Sequence, residues 1–233
     1  MSAVLQISEV HKNYQSLRPL RLRELTIAPG ERIAVSGLDA GAAEVLVNLV
    51  TGASLPDQGE VRVMGRLTSE IANGDEWLAS LDRFGIISPR GVLLETATIE
   101  QNIAMVFSLL IDPVPPETAS RVRALATACG ISDVTAVTGQ TTPEIRARVH
   151  LARAVALEPA LLIVEHPTAG IPEAAREALA KDFASVMAAR RLAALVITQD
   201  DAFARIAADR VLRLNGATGV LAPARRGWFG LRR

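Results

Sequence analysis

The sequence predicts an α/β fold, a largely parallel sheet covered on both faces, and three observations predict it. Short, continuously apolar strands recur at residues 32–35, 84–87, 161–164 and 195–198, as strands buried on both faces require. Helical stretches alternate with them, the pattern of a parallel sheet. Of 233 residues, 49% are hydrophobic, so the chain can bury a large core, as one domain or one domain with an inserted part.

Taken in order, Leu5 and Ile7 alternate with Gln6 and Ser8 as in a half-buried strand, and residues 21–27 alternate more loosely. Pro29 and Gly30 make a turn before the apolar strand at 32–35. A short glycine-containing loop then leads into a helix start that reaches Val50. Residues 59–65 form another alternating strand closed by Gly65, and the strand at 84–87 ends at Ser88, Pro89, Arg90 and Gly91, a cluster of breakers. From residue 99 to 157 the pattern turns helical. One apolar-rich helix is expected over 98–110, a second from Pro115 and Pro116 to about Cys129, and a third from Pro143 to about Leu157. Strands return at 161–164, 195–198 and 211–214, with an Ala-rich helix over about 173–190 between the first two. No internal repeat or low-complexity tract interrupts this order.

Composition narrows the function. Lys+Arg and Asp+Glu balance at 25 each, which gives no electrostatic case for nucleic acid. The single cysteine, Cys129, excludes an internal disulfide framework and fits a reducing compartment. No signal peptide is visible at Met1, Ser2, Ala3 and Val4, and no apolar run is long enough to span a bilayer. The tail at residues 225–233 mixes four Arg with Trp228 and Phe229. A solvated terminus is expected there, with contact to an anionic membrane surface the alternative.

The loop after the first apolar strand carries the chemical argument. A phosphate-binding loop reads G-x-x-x-x-G-K-[S/T]: small residues expose backbone amides, Lys neutralises phosphate and the hydroxyl holds magnesium. Counting from Gly37 and passing Gly41, the second glycine is Ala42, the Lys is Ala43 and the hydroxyl is Glu44. Asp39 and Glu44 are acids, and no base lies between them. The missing Lys–phosphate bond is worth about 1.5–3 kcal/mol. A carboxylate near a phosphate costs on the order of several kcal/mol at a surface-like dielectric. ATP with magnesium is therefore disfavoured. The chain has only two lysines, Lys12 and Lys181, and neither lies near a glycine-rich turn.

Over roughly residues 5–216 the order of segments resembles the ATP-binding subunit of an ABC transporter. The residues that carry the resemblance are Tyr14 at a strand end; Pro29, Gly30 and Glu31 before the loop strand; Asn48 to Gly52 at the end of the loop helix; Thr98 to Ile103; Arg148 to Ala154; Leu161 to Thr168; and Ala208 to Leu212. The resemblance implies an ABC-type P-loop NTPase fold, a mixed sheet with an N-terminal antiparallel β arm and an inserted helical subdomain. Core and arm would span 1–88 and 158–233, and the subdomain 89–157. It further implies a nucleotide site at Tyr14, Gly37, Gly41, Ala43 and Glu44, with Tyr14 either stacking adenine or serving as an edge-strand aromatic. Glu165 takes the Walker B metal position.

At the same time, each chemical position of that family is changed. The metal-contacting Gln falls on Pro89 or Ser88, and the signature Leu-Ser-Gly-Gly-Gln falls on Thr141, Thr142, Pro143, Glu144 and Ile145. The water-activating Glu is His166, the D-loop Asp maps near Pro172 and the switch His is Gln199. Phosphoryl transfer is nearly all positioning and charge neutralisation, so no catalytic residue is expected. The leading expectation is a pseudo-ATPase, a structural or regulatory partner of an active ABC ATPase subunit, as homo- or heterodimer, and of a membrane permease. It would be cytoplasmic and peripheral at the membrane, with residues 99–110 forming either partner surface or core. A divergent ATPase completed in a composite dimer site is the alternative. A dinucleotide-binding domain fits poorly, because only Gly37 of G-x-G-x-x-G is present.

Overall fold

The computed structural model describes residues 2–224; the expectation for the tail at 225–233 lies outside the described residues. Ten strands and seven helices follow in the order β1 (Leu5–Lys12), β2 (Leu20–Ile27), β3 (Arg32–Ser36), α1 (Ala40–Val50), β4 (Gln58–Val63), β5 (Arg66–Leu67), α2 (Gly74–Leu81), β6 (Phe84–Ile87), α3 (Ile99–Ala104), α4 (Pro116–Ala128), α5 (Pro143–Val155), β7 (Leu161–Glu165), α6 (Glu173–Ala189), β8 (Ala193–Ile197), α7 (Asp201–Ala207), β9 (Arg210–Asn215) and β10 (Val220–Pro223).

Two sheets are formed. A six-stranded sheet runs β10-β9-β3-β8-β7-β6, parallel except for the antiparallel edge pair β9–β10. A four-stranded antiparallel sheet runs β2-β1-β4-β5. The α/β class with mixed sheets is thus the observed one.

Strand alternation divides the core between the two faces of the larger sheet. In β7, Leu162 and Val164 face the side covered by α3, α4, α5, α6 and α7, while Leu161 and Ile163 face α1 and the antiparallel sheet. In β8, Ala194 and Val196 join the first side, and Leu195 and Ile197 the second. This period of two is the reason that both strands read as unbroken apolar runs.

Helix α3 is shorter than the expected 98–110. It begins at a capping box in which Thr98 and Gln101 satisfy each other's backbone amides. Beyond Ala104 the chain turns over, which places Phe107 under the Arg121 guanidinium at 4.0 Å. Ile99 and Ile103 are core residues, whereas Leu109 and Leu110 are exposed. Among the described residues no helix is long and apolar enough to cross a membrane.

Candidate functional site

The candidate site lies at the carboxyl ends of the parallel strands, where ligand crevices of α/β sheets form. Strand β3 ends at Ser36, and Gly37 turns the chain with φ +90°. A Cβ on Gly37 would stand 2.6 Å from the Leu214 carbonyl oxygen of β9. Gly37 is therefore demanded by the fold itself. Its amide points to Gln199 Oε1 at 3.4 Å, and Gln199 Nε2 donates to the Leu38 carbonyl at 2.6 Å. The residue following β8 thus closes over the loop.

Asp39 caps α1, and its carboxylate accepts the Ala42 amide at 2.8 Å. Ala42 is buried and Ala43 fully so, both packed in the core beneath the antiparallel sheet. Ala43, at the position that the resemblance assigns to lysine, is covered by its neighbours and supplies no cation. Tyr14, partly buried, lies against the same helix start. A Cβ on Gly41 would meet its ring at 3.4 Å, so Tyr14 and Gly41 are brought together. Neither lysine is available here: Lys12 Nζ donates to Asp57 at 2.9 Å, and Lys181 pairs with Glu177 on α6.

The cation that does reach this corner is Arg90, from the loop after β6. Its guanidinium meets Glu165 in a fork, Nη1 to Oε1 at 3.1 Å and Nη2 to Oε2 at 2.7 Å. Nη1 also stands 3.6 Å from Glu44 Oε2. Glu165 is 1% exposed, Arg90 and Glu44 about half. A buried carboxylate requires a partner, and a bidentate arginine is the strongest one that side chains offer. Arg90 was not among the sequence candidates. Its neighbours Ser88 and Pro89 drew attention, and a pairing across 75 residues leaves no local signature.

Glu44 and Glu165 are the two oxygen donors that a magnesium ion would meet here, and both oxygens of Glu165 are taken by Arg90. With a guanidinium seated between them, this donor set does not fit a divalent ion.

His166 follows Glu165 with φ +45°, a left-handed conformation in which His is tolerated better than most residues. Its amide donates to the Ile197 carbonyl at 2.8 Å. Its buried Nε2 has no hydrogen-bond partner among the described residues. It borders a cavity of about 550 Å³ shared with Pro89, Glu95, Arg146 and His150. Burial, with the positive charge of Arg153 added, pushes the His150 imidazole below its ordinary 6.5.

At the start of α5, Thr142 is the cap and accepts the Ile145 amide at 3.4 Å. Pro143 and Glu144 make the first turn. The Thr142 hydroxyl holds the Glu144 carboxyl below its ordinary range, so this helix start is anionic.

Comparison with known proteins agrees with this architecture. The ATP-binding cassette MJ0796, solved as a dimer bound to ADP and Pi, superposes with a TM-score of 0.76 at 19% identity, covering 95% of this chain and 99% of that one. CbiO1 from Clostridium perfringens, part of the ABC transporter complex cbiONQ, gives 0.77 at 20% identity over 91% of this chain and 85% of its own. Both likenesses concern the fold. In sequence, the lipoprotein-releasing system ATP-binding protein LolD of Pseudomonas syringae pv. tomato is 29% identical over 220 residues, 92% of this chain and 96% of the relative. The Fe(3+) ions import ATP-binding protein FbpC of Serratia marcescens is 26% identical over 212 residues, 90% of this chain but 59% of the relative. The family model described as ABC transporter matches residues 20–169, more than half of the chain, and the chain belongs to that family.

Proposed function

We propose that this ABC transporter ATP-binding subunit acts as a pseudo-ATPase, a structural or regulatory member of a transport assembly that does not bind or hydrolyse ATP itself. One observation carries the proposal. The loop that should grip phosphate is closed on itself, with Ala43 fully buried at the lysine position and Asp39 bonded to the Ala42 amide. A triphosphate arriving there meets Asp39 with no lysine to offset it, the Arg90 cation beside Glu44 is already bound to Glu165, and helix-end amides recover only part of the charge.

The second half of a composite site is weakened in the same way. Members of this family dimerise head to tail, each offering its signature to the other's nucleotide. Here Glu144 sits in the first turn of α5, and a carboxylate at that place repels a partner's terminal phosphate. The chain would then serve through contacts rather than turnover, pairing with an ATPase subunit and docking a membrane permease at the cytoplasmic face. Val92, Leu94, Leu109 and Leu110 are exposed apolar residues on and after the loop that follows β6, and we assign the permease contact to them. Balanced charge argues against a nucleic-acid partner.

A second reading, a divergent ATPase completed by its dimer partner, is favoured by two features: Tyr14 beside Gly41 and the unpartnered His166 Nε2. Titration with Mg-ATP separates the two. The native chain should show no binding at millimolar nucleotide, while Ala43→Lys with Glu44→Ser gains it. Micromolar binding by the native chain would reverse the choice.

A further inference from the structure

We propose that Arg90 is a tethered cation that fills the metal position between Glu44 and Glu165 and so latches the loop after β6 to the sheet without nucleotide. The inference rests on the pseudo-ATPase reading for its meaning, but its geometry stands apart from it. Glu165 ends β7, an inner strand beside the edge strand β6, and is buried. A lone carboxylate there would be strongly unfavourable. A diffusible metal ion could supply the compensating charge, and could also leave. Here that charge is covalently attached to the chain and always present.

The consequence lies in what Arg90 is attached to. Residues 88–98 form the outgoing connection from β6 to α3 and hence to the whole helical stretch before β7. Arg90 fixes this connection to β7. Two residues on, Arg153 of α5 donates through Nη1 to the Val92 carbonyl at 2.8 Å, fixing it from the other side. Then the buried Asn102 side chain accepts the Leu94 amide at 2.8 Å and donates to the Leu94 carbonyl at 2.9 Å. Three successive anchors thus bind alternate residues of one connection. The exposed Val92 and Leu94 side chains belong to two of the anchored residues, so the latch also holds the surface assigned above to a partner. The chain would present that surface in one arrangement whether or not ATP is bound elsewhere in the assembly.

Hydrogen exchange on the full-length chain without nucleotide tests the latch. Arg90→Ala alone leaves Glu165 unpaired and invites misfolding, so the deciding variant is the double Arg90→Ala with Glu165→Gln, which removes both charges. We expect amides of residues 88–94 to exchange about tenfold faster in it, while the β3 and β8 amides stay protected. Unchanged exchange at 88–94 in the double variant would overturn the latch and leave Arg90 as a mere neutraliser of Glu165. Mn²⁺ is the second probe. Folded Arg90→Ala should bind it through Glu44 and Glu165 and the native chain should not; binding by the native chain, or by neither, removes the metal-seat assignment. If the native chain bound ATP but kept slow exchange at 88–94 without it, the pseudo-ATPase reading would fail and the latch would stand.

Discussion

The Asp39 carboxylate accepts the Ala42 amide at 2.8 Å, so the end of α1 that points at the loop is capped by the chain itself. A capping side chain of this kind contributes about 1 kcal/mol over alanine, and asparagine replaces aspartate at little cost. Asp39→Ala should therefore lower stability in urea denaturation by about 1 kcal/mol, and Asp39→Asn by a few tenths. Neither should gain ATP binding, because Ala43 still supplies no cation. Nucleotide binding by Asp39→Ala would mean that the cap alone had been blocking the site.

The contrast between Asp39 and Arg90 shows what was legible in the sequence. The apolar runs of β3, β7 and β8 are buried on both faces, and that burial wrote their position into the chain. Gly37 and the altered loop after it could be read because the pattern is contiguous. By contrast, α2 has no buried residue and therefore no apolar stripe. In the structure it starts at the Asn73 cap, which accepts the Glu76 amide at 2.9 Å, and no helix is expected there from the sequence. Helix α7 is short and likewise began only with a cap, Asp200. The Arg90–Glu165 pair was the least legible feature of all. Asp39 and Glu44 were visible as acids without a base, but that an arginine would reach Glu44 together with Glu165 depends on the loop geometry after β6, and a single sequence does not encode that locally. The expected helix over 98–110 failed for a related reason: Leu109 and Leu110 extend the apolar run without facing the core.

The Arg32–Asp209 pair predicts acid sensitivity. Arg32, at the start of β3, donates through Nε at 3.1 Å and Nη2 at 2.5 Å to the Asp209 carboxylate just before β9, and its amide donates to the same group at 2.9 Å. The Arg32 side-chain bond, aided by that amide, holds the Asp209 carboxyl below its ordinary 3.8. A depressed acid contributes stability that is complete above the unfolded value and is lost as pH falls through the folded one. Asp209 is 43% exposed, so solvent screening limits the effect to about 1 kcal/mol. Thermal melts of Asp209→Asn should start lower than native at neutral pH and converge with it below the ordinary 3.8. A gap that persists in strong acid would show that packing, not charge, carries the pair.

His150 predicts a second, higher window. Its imidazole is pushed below the ordinary 6.5 by burial and by Arg153, so the unfolded chain takes up a proton that the folded one resists. Stability contributed this way is complete above 6.5 and declines as pH falls toward the folded value. His150→Gln should flatten the fall in melting temperature as pH drops below the ordinary 6.5. An unchanged slope would place the titration elsewhere.

Asn102 supplies the test of how the helical stretch is held. It is fully buried, and its side-chain amide has four polar contacts: Oδ1 accepts from Leu94 N at 2.8 Å, and the two N–H groups of Nδ2 are shared among Leu94 O at 2.9 Å, Thr98 O at 3.1 Å and Thr138 Oγ1 at 2.9 Å. The connection before α3, the cap of α3 and the distant Thr138 thus share one side chain. Replacing it by leucine keeps the volume but removes the partner of the part-buried Leu94 amide and carbonyl, at roughly 1–3 kcal/mol for each group left unsatisfied. We expect Asn102→Leu to lose about 3 kcal/mol in urea denaturation, and Asn102→Ala about as much, because a cavity replaces the steric fit. The loss should not be uniform in space. Amide exchange should rise first at Leu94, whose acceptor Asn102 Oδ1 vanishes, and only later in β7 and β8, whose ladders are untouched. A loss below about 1 kcal/mol would mean that water enters and rebuilds the four contacts, and that Arg90 and Arg153 suffice to hold this connection without Asn102.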